Sequence, residues 1–486
     1  MVIQVAVVME RMVGVRARFG KWGQYRKPPC GRGYQRQRPP DRLQEGRPMS
    51  VSSSVPRSPS LPRVLVLGAG FGGLRVVRTL RNAPCRIFLV DRQNHHLFQP
   101  LLYQVATAAL SPADIAQPIL RILRGQKNVQ VVMGEATDVD LEARSVRVGE
   151  DDISYDWLVV ATGATHHYFG NEEWARRAPG LKTIDDALEI RRRILLAFEE
   201  AEMEDDPEVQ RAKLTFVIVG GGPTGVELAG ALREIAAKTI PADYRRVDTS
   251  TARIILMEGM DRLLPGMSGK ASALALKQLE GMGVEVRLGT LVTNMDEVLV
   301  HLGEDRVSAA NVIWAAGVKG SPLAQRLGVE LDPQGRVPVE PDCSIPGHPQ
   351  AFVVGDLAAM EDPKTGRPVP GVAQGAIQMG RFVGGIIQES LPSGEPPEIR
   401  RPFHYVDKGT MATIGRARAV ADMGDLSLGG FSAWILWSTV HVLYLVGFRN
   451  RLMVMLNWAW QWLVHARGAR LITGSPRMRL KKPVDL

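Results

Sequence analysis

The stretch RVLVLGAGFGGLRVVRTL, residues 63–80, decides the fold. Arg63–Leu67 is a short apolar run and reads as a buried strand. Gly68, Gly70 and Gly73 follow in the spacing GxGxxG, and a helical pattern begins at once. RIFLVD (86–91) then reads as a second strand that ends in an acid, Asp91. In this context each glycine has a task. Gly68 makes the tight turn, Gly70 lets a pyrophosphate approach the backbone, and Gly73 lets helix and strand pack closely. The helix N-terminus faces the phosphates, and Asp91 accepts from a ribose hydroxyl. GxGxxG alone is a weak signal. With a strand before it, a helix after it and a terminal acid, it predicts a dinucleotide-binding domain.

The pattern recurs. LTFVIVGGGPTGVELAGAL (214–232) sets Gly220, Gly222 and Gly225 between a strand and a helix, and RIILME (253–258) ends in Glu258. Gly220 and Glu258 stand 38 residues apart, against roughly 20 in the usual unit. The excess lies in AAKTIPADYRRVDTST (236–251), which is expected to lengthen the helix and its loop. A carboxylate at position 258 pairs with a 2′-hydroxyl and repels a 2′-phosphate, so NADH is expected to be preferred over NADPH, with Arg262 close by in sequence. Two such sites in one chain point to two dinucleotides that react with each other, as when a nicotinamide gives a hydride to a flavin. The alternative is one working site and one decayed copy, although both copies keep all three glycines. Glu227 lies on the second helix, two residues past Gly225 and hence near the cofactor, where it could relay a proton or be a solvated or capping acid.

Composition narrows the class. With 486 residues, 45% of them hydrophobic and 23% charged, the chain is an ordinary globular protein of about three domains. Residues 1–62 hold 12 Lys/Arg and three Asp/Glu, which accounts for the whole net charge of +9. The folded body is therefore neutral and is not read as a nucleic-acid binder. Cys30, Cys85 and Cys343 form no CxxC pair, which argues against a disulfide framework, a zinc site or a thiol redox pair. His95 and His96 have no acid or cysteine spaced to complete a metal site, and none is expected; they read as loop and packing residues. Residues 1–61 read as a disordered basic tail, dense in Pro, Arg, Ser and Gly. A secretory signal is a weak reading there, because MVIQVAVVM lacks a basic start. A transit peptide is a second, and translation from Met49 is the reading composition favours.

The chain resembles the two-dinucleotide-domain flavoprotein reductases. DWLVVATGA (156–164) and NVIWAAGV (311–318) are similar to that group's segments returning between domains, and AFVVGD (351–356) to its second flavin motif. Within the group it resembles type II NADH dehydrogenase, the non-pumping NADH:quinone oxidoreductase, over about residues 62–470. The carrying segments are DRQNHHLFQPLLYQVATAALSP (91–112), GGGPTGVELAG (220–230), GVAQGAIQMG (371–380) and DKGTMATIG (407–415). AQGAIQ (373–378) matches the family's quinone-site pattern AQxAxQ. The resemblance implies an α/β fold of two Rossmann-like domains, the NAD domain inserted in the FAD domain, followed by a C-terminal amphipathic membrane-anchoring helical segment. It implies FAD-domain parts at 62–180 and 313–400, an NADH domain at 181–312 and an anchoring region at 401–486. FAD, held non-covalently, is assigned to Gly68, Gly70, Phe71, Gly72, Gly73, Asp91, Arg92, Pro100, Ala136, Gly163, Gly355 and Asp356, the last holding the ribityl chain. Gly220, Gly222, Gly225 and Glu258 are assigned to NADH, and Gly317 to cofactor binding. Ala373 and Gln374 are implied beside the isoalloxazine, Gln378 toward quinone, and Lys408 near the flavin. Glu227, Gln374 and Gln378 are implied catalytic, with Glu227 where the nicotinamide and quinone sites join. The quinone is menaquinone or ubiquinone, a homodimer is possible, and the implied place is the cytoplasmic face of the inner membrane. Other flavoenzymes of this architecture fit less well. Sulfide:quinone chemistry needs two cysteines near the flavin. A ferredoxin-type reductase or an NADH-sensing flavoprotein needs neither AQGAIQ nor the tail.

That tail carries five of the nine tryptophans: Trp434, Trp437, Trp458, Trp460 and Trp462. No acid lies between Leu426 and Val484, while Arg449, Arg451, Arg467, Arg470, Lys481 and Lys482 punctuate it. Aromatics and cations without acids suit the headgroup layer of an anionic leaflet. The reading is a monotopic anchor of two helices; a single span, or a helix buried in a core or dimer interface, are the alternatives.

Overall fold

The computed structural model describes residues 61–395, 400–424, 426–464 and 467–472. The basic leader with Met49 and Cys30, and the terminal Lys481 and Lys482, lie outside them. The strand Arg63–Leu67 stands inside a six-stranded sheet. Arg86–Asp91 and Trp157–Val160 flank it in parallel. Val129–Met133 and His348–Val353 extend the sheet in parallel on either side, and Ser344–Ile345 closes one edge antiparallel. Every residue of Trp157–Val160 is buried. Such a strand is covered on both faces, which explains its unbroken apolar run.

A second sheet has the same parallel core. Thr215–Val219 lies between Arg253–Met257 and Asn311–Trp314, with Glu285–Arg287 at the edge. The chain leaves the first sheet after Trp157–Val160 and returns to it at Ser344–Val353, so the second nucleotide unit is inserted within the first. Its last strand, Asn311–Trp314, ends just past residue 312. The long spacing to Glu258 also has a form. Helix Pro223–Glu234 runs on into a π turn, Ile235–Thr239, and a loop follows before the next strand. Glu202 holds that loop by accepting from the backbone of Arg245, Arg246 and Val247.

Missing Cβ atoms let the helices close on their neighbours. A side chain at Gly73 would overlap the Gly68 carbonyl, and one at Gly225 the Gly220 carbonyl. Helix Ala373–Ser390 lies against helix Phe71–Thr79 in the same way: Gly380 faces the Gly72 carbonyl, and a Cβ on Gly384 would stand 2.8 Å from that of Thr79. Gly230 meets the carbonyl of Ile414, which ties Pro223–Glu234 to strand Thr410–Gly415.

The region after residue 401 begins as a sheet. Thr410–Gly415, Arg418–Met423 and Leu426–Gly429 form an antiparallel sheet over the second nucleotide unit. Only then come helices Phe431–Tyr444 and Phe448–Val464. Among the described residues no helix is long and apolar enough to cross a membrane. The tail tryptophans divide. Trp437 is 2% exposed and belongs to the core, whereas Trp460 is 61% exposed. Trp434 and Trp458 pack against that core from the side. The cations divide too. Arg449 is exposed. Arg467 is buried and donates to the carbonyls of Thr107 and Ala231, and Arg470 pairs with Asp243.

The division has a measurable consequence. Trp437→Ala leaves a large cavity and should cost about 3–5 kcal/mol. Trp460→Ala should change stability by less than ~0.5 kcal/mol. Denaturant titration of both variants in one detergent tests this; equal losses would mean that the two indoles share one environment.

Candidate active site

Both glycine turns are built alike. Gly68 and Gly220 take positive φ, +98° and +111°, which only glycine adopts cheaply. Asp91 Oδ2 accepts from the Ala69 N–H at 2.6 Å, and its Oδ1 from Gln93 N–H at 2.7 Å. Glu258 repeats this: Oε2 accepts from Gly221 N–H at 2.6 Å, and Oε1 from Met260 N–H at 2.8 Å. The strand-end acid thus braces the turn before it meets any ribose, and sequence reasoning gave it the ribose alone. Gly70 and Gly222 cap their helices without a side-chain hydrogen bond, and nothing lies within 4 Å of where their Cβ atoms would be. Bare N–H groups facing open space at a helix N-terminus fit a pyrophosphate.

Around the first turn, Phe71 packs edge-on against His96, whose Nδ1 lies 2.9 Å from the Ala69 carbonyl oxygen. Pro100 lies in the short turn Gln99–Leu101. Arg92, next to Asp91, is exposed. Asp91 pairs in register with Met133, three residues before Ala136. Gly163 follows strand Trp157–Val160 at the same sheet edge, at φ +69°. Gly355 and Asp356 follow His348–Val353, and Lys182 approaches Asp356 at 3.8 Å. Around the second turn, Gly317 (φ +80°) lies under the Phe169 ring.

Ala373 opens helix Ala373–Ser390, whose cap has no side-chain bond. Gln374 and Gln378 share a face one turn later, but their amides are engaged. Gln378 donates to the Val406 carbonyl at 2.9 Å and accepts from its N–H at 3.0 Å. Gln374 donates to the Gly409 carbonyl at 3.1 Å and accepts from Lys408 N–H at 3.3 Å. Like two rungs of a ladder, they hold the segment that carries Lys408, whose side chain is exposed.

Glu227 lies apart from these amides. It shares a helix face with Gly230 and therefore meets the same strand, where Oε1 accepts from Thr413 N–H at 3.4 Å. It lines a cavity with about 120 Å³ of water-accessible space. Tyr103, Glu234, Trp437 and Arg467 share the wall. Burial pushes the Glu227 carboxyl well above the usual carboxylate range, and the Thr413 N–H opposes this in part. Trp458 Nε1 donates to Gln104, and Gln104 to the Tyr103 hydroxyl, both at 2.7 Å. The indole N–H of Trp437, also on the wall, has no partner among the described residues. Sequence reasoning missed Tyr103, Gln104, Thr413 and Glu234; they come from three separate segments and share no motif. Cys85 and Cys343 are both buried, and Cys343 contacts Met360, not a second thiol. Among the described residues no group of His, Cys, Asp and Glu could hold a metal ion.

Two braced phosphate turns on two parallel sheets define a dinucleotide-dependent oxidoreductase of the two-domain class. Residues 62–380 match the pyridine nucleotide-disulphide oxidoreductase family, and residues 408–466 match the NDH2 C-terminal domain. The chain is 44% identical over 444 residues to type II NADH:quinone oxidoreductase Ndh of Mycobacterium tuberculosis, covering 88% of this chain and 94% of that one. It is 45% identical over 440 residues to NdhA of the same organism, covering 87% and 92%. The solved structure of NDH2 from Plasmodium falciparum in complex with NADH shares the fold, with a TM-score of 0.74 at 20% identity over 82% of this chain and 98% of that one. The chain belongs to the type II NADH:quinone oxidoreductases.

The raised Glu227 carboxyl sets a sign for stability. The folded state holds this proton above the ordinary glutamate range and the unfolded state does not, so stability falls as pH rises from that range toward the raised value. Glu227→Gln removes the dependence. The variant should therefore gain on wild type in denaturant midpoint from pH 5 to pH 8. A constant difference would place Glu227 in contact with water.

Proposed function

We infer that the chain moves electrons from NADH through FAD to a membrane quinone without pumping protons, and that its two braced turns divide the cofactors. FAD lies on Gly68, Gly70 and Gly73 with Asp91; NADH lies on Gly220, Gly222 and Gly225 with Glu258. The observation that carries this reading is the doubling of one turn geometry on two sheets of a single folded body, with Glu227 on the helix that leaves the second. Bound FAD supplies the redox chemistry, accepting a hydride and passing on two electrons. The chain itself binds, orients and manages protons.

Phe71, Gly72, Arg92, Pro100, Ala136, Gly163, Gly355, Asp356, Ala373 and Lys408 complete the flavin pocket in this reading, and Gly317 the nicotinamide side. Gln374 and Gln378 serve the quinone half-reaction by fixing the 406–409 segment, not through free amides. Proton balance gives Glu227 its task. NADH brings two electrons and one proton, while a quinol takes two of each, so every turnover draws one proton from water. Glu227 stands where that proton can arrive, in a cavity whose wall also includes the exposed Lys238. The site is the cytoplasmic face of the inner membrane, reached by a monotopic tail, with menaquinone or ubiquinone as acceptor. Phe431, Ile435, Leu443, Phe448, Leu456 and Leu463 are exposed on the tail helices and support that attachment. A homodimer would set two such tails on one surface.

Glu258 should set the choice of nucleotide. Arg262 donates to the Pro265 carbonyl at 2.9 Å, which leaves the carboxylate to dominate. Glu258→Gln keeps an oxygen for Gly221 N–H and removes the charge. The ratio of kcat/KM for NADH over NADPH should fall about ten-fold, the equivalent of ~1.4 kcal/mol. An unchanged ratio would assign discrimination elsewhere.

Gln378→Leu tests the ladder. NADH:quinone turnover should drop at least several-fold while rapid-mixing reduction of FAD by NADH stays near wild type. Equal loss in both half-reactions would remove the 406–409 segment from the quinone route.

A further inference from the structure

We propose that the FAD-domain segment Pro118–Lys127 is a second membrane-contact element, which seats Leu120 and a rim of arginines on an anionic lipid surface beside the tail helices. The proposal rests on the reading of the tail as surface-bound.

Helix Ile119–Leu123 buries Ile119 and Leu123 in the core and leaves Leu120 68% exposed. Pro118, Arg121, Arg124 and Lys127 around it are exposed. The C-terminal end of helix Phe71–Thr79 adds Arg78 and Arg81, also exposed, and Arg81 donates to the Gly125 carbonyl at 3.0 Å. Among the described residues, none of Arg78, Arg81, Arg121, Arg124 and Lys127 takes part in an ion pair. Partial burial and the repulsion of Arg75 and Arg81 lower the Arg78 pKa. A folded body of zero net charge has gathered cations here, with no ion-pair partner for them among the described residues.

The patch is continuous with the tail. The Gln117 amide is packed on Gly447, where a Cβ would come within 2.6 Å of it. Asn450 donates to the Ala116 carbonyl at 3.3 Å. Phe448, 76% exposed, and the exposed Arg449 lie between those two contacts in the chain. Leu120 therefore adjoins the corner from which the tail offers its most exposed aromatic.

The chemistry selects lipid. One large apolar side chain within a rim of guanidiniums suits the boundary between headgroups and acyl chains. A two-fold contact between copies would set like charges against one another. Single-stranded nucleic acid needs stacking aromatics, and Pro118–Lys127 has none.

The test uses the full chain, holding its flavin, and co-sedimentation with vesicles of phosphatidylcholine alone or with added phosphatidylglycerol. Arg121→Gln/Arg124→Gln should lose about five-fold in partition per charge on the anionic vesicles, and nothing on the neutral ones. Leu120→Asp should weaken binding to both. NADH oxidation with a water-soluble short-chain quinone should stay at wild type in all variants, which shows that they fold. Phe448→Asp is the control for the tail. If it weakens binding while the Leu120 and arginine variants bind like wild type, the second element is overturned and the tail reading stands. If none of them weakens binding, both are overturned. A change in mass by light scattering without a change in vesicle binding would make the patch a subunit contact and also overturn the proposal.

Discussion

Backbone meeting backbone, with no side chain between, is the constraint on which this molecule depends. A phosphate turn works only if the helix N-terminus comes close to the strand that precedes it. Gly73 against Gly68 and Gly225 against Gly220 provide that approach twice. The same device then spreads outward. Gly380 brings the helix carrying Gln374 and Gln378 against the first phosphate helix. Gly230 brings the C-terminal sheet against the second, and the position of Glu227 beside Thr413 follows from it. Each contact would be lost to a single methyl group. The strand-end acids secure the arrangement from the other side, because each occupies two backbone N–H groups of the loops that flank it.

The tail is continuous with this framework. Trp437, Leu445 and Val454 belong to the same core as the second nucleotide unit. The segment 103–110, which begins in helix Leu102–Ala106, is held from two directions: Arg191 donates to the carbonyls of Val105 and Leu110, and Arg467 to that of Thr107. Trp458 reaches Gln104 on that segment. A tail built this way cannot be peeled off without opening the core and the cavity that holds Glu227. Removing the tail would thus disturb chemistry and attachment together, and point changes on its outer face are the cleaner way to separate them.

Much of the fold was legible because its signals are local. A buried strand, three spaced glycines, a helix and a terminal acid follow one another within thirty residues, and each has one physical meaning. The insertion of one domain in the other and the pairing with FAD came from resemblance, not from periodicity. What stayed hidden depends on direction and on distant partners. Composition shows that the tail is rich in tryptophan, but it cannot say which indole points inward, and both tail helices carry apolar residues all round. The spacing of Gln374 and Gln378 gives a shared face, but not that backbone at 406–409 already occupies it. Arg467 looked like a surface cation because the carbonyls it serves lie hundreds of residues earlier in the chain.

The polar groups of the tail helices are placed where a spanning helix could not keep them. A spanning helix has to hide its backbone and shed its charges over about 20 residues. Phe448–Val464 instead carries Arg449, Arg451, Asn450 and Asn457 within its first three turns, and two of these are committed to the body: Asn450 to Ala116 and Asn457 to Asp114. The helix lies along the protein, one flank against residues 114–116 and the other, with Leu452, Leu456, Trp460 and Leu463, exposed. In the proposed attachment each large apolar side chain that enters the bilayer would contribute at most ~1.5–3 kcal/mol, so several partly inserted ones would give firm binding that salt does not reverse, and the proposed patch outside the tail would tune it by lipid charge. A protein so placed receives a polar nucleotide from water and an apolar acceptor from lipid without moving either substrate out of its own phase.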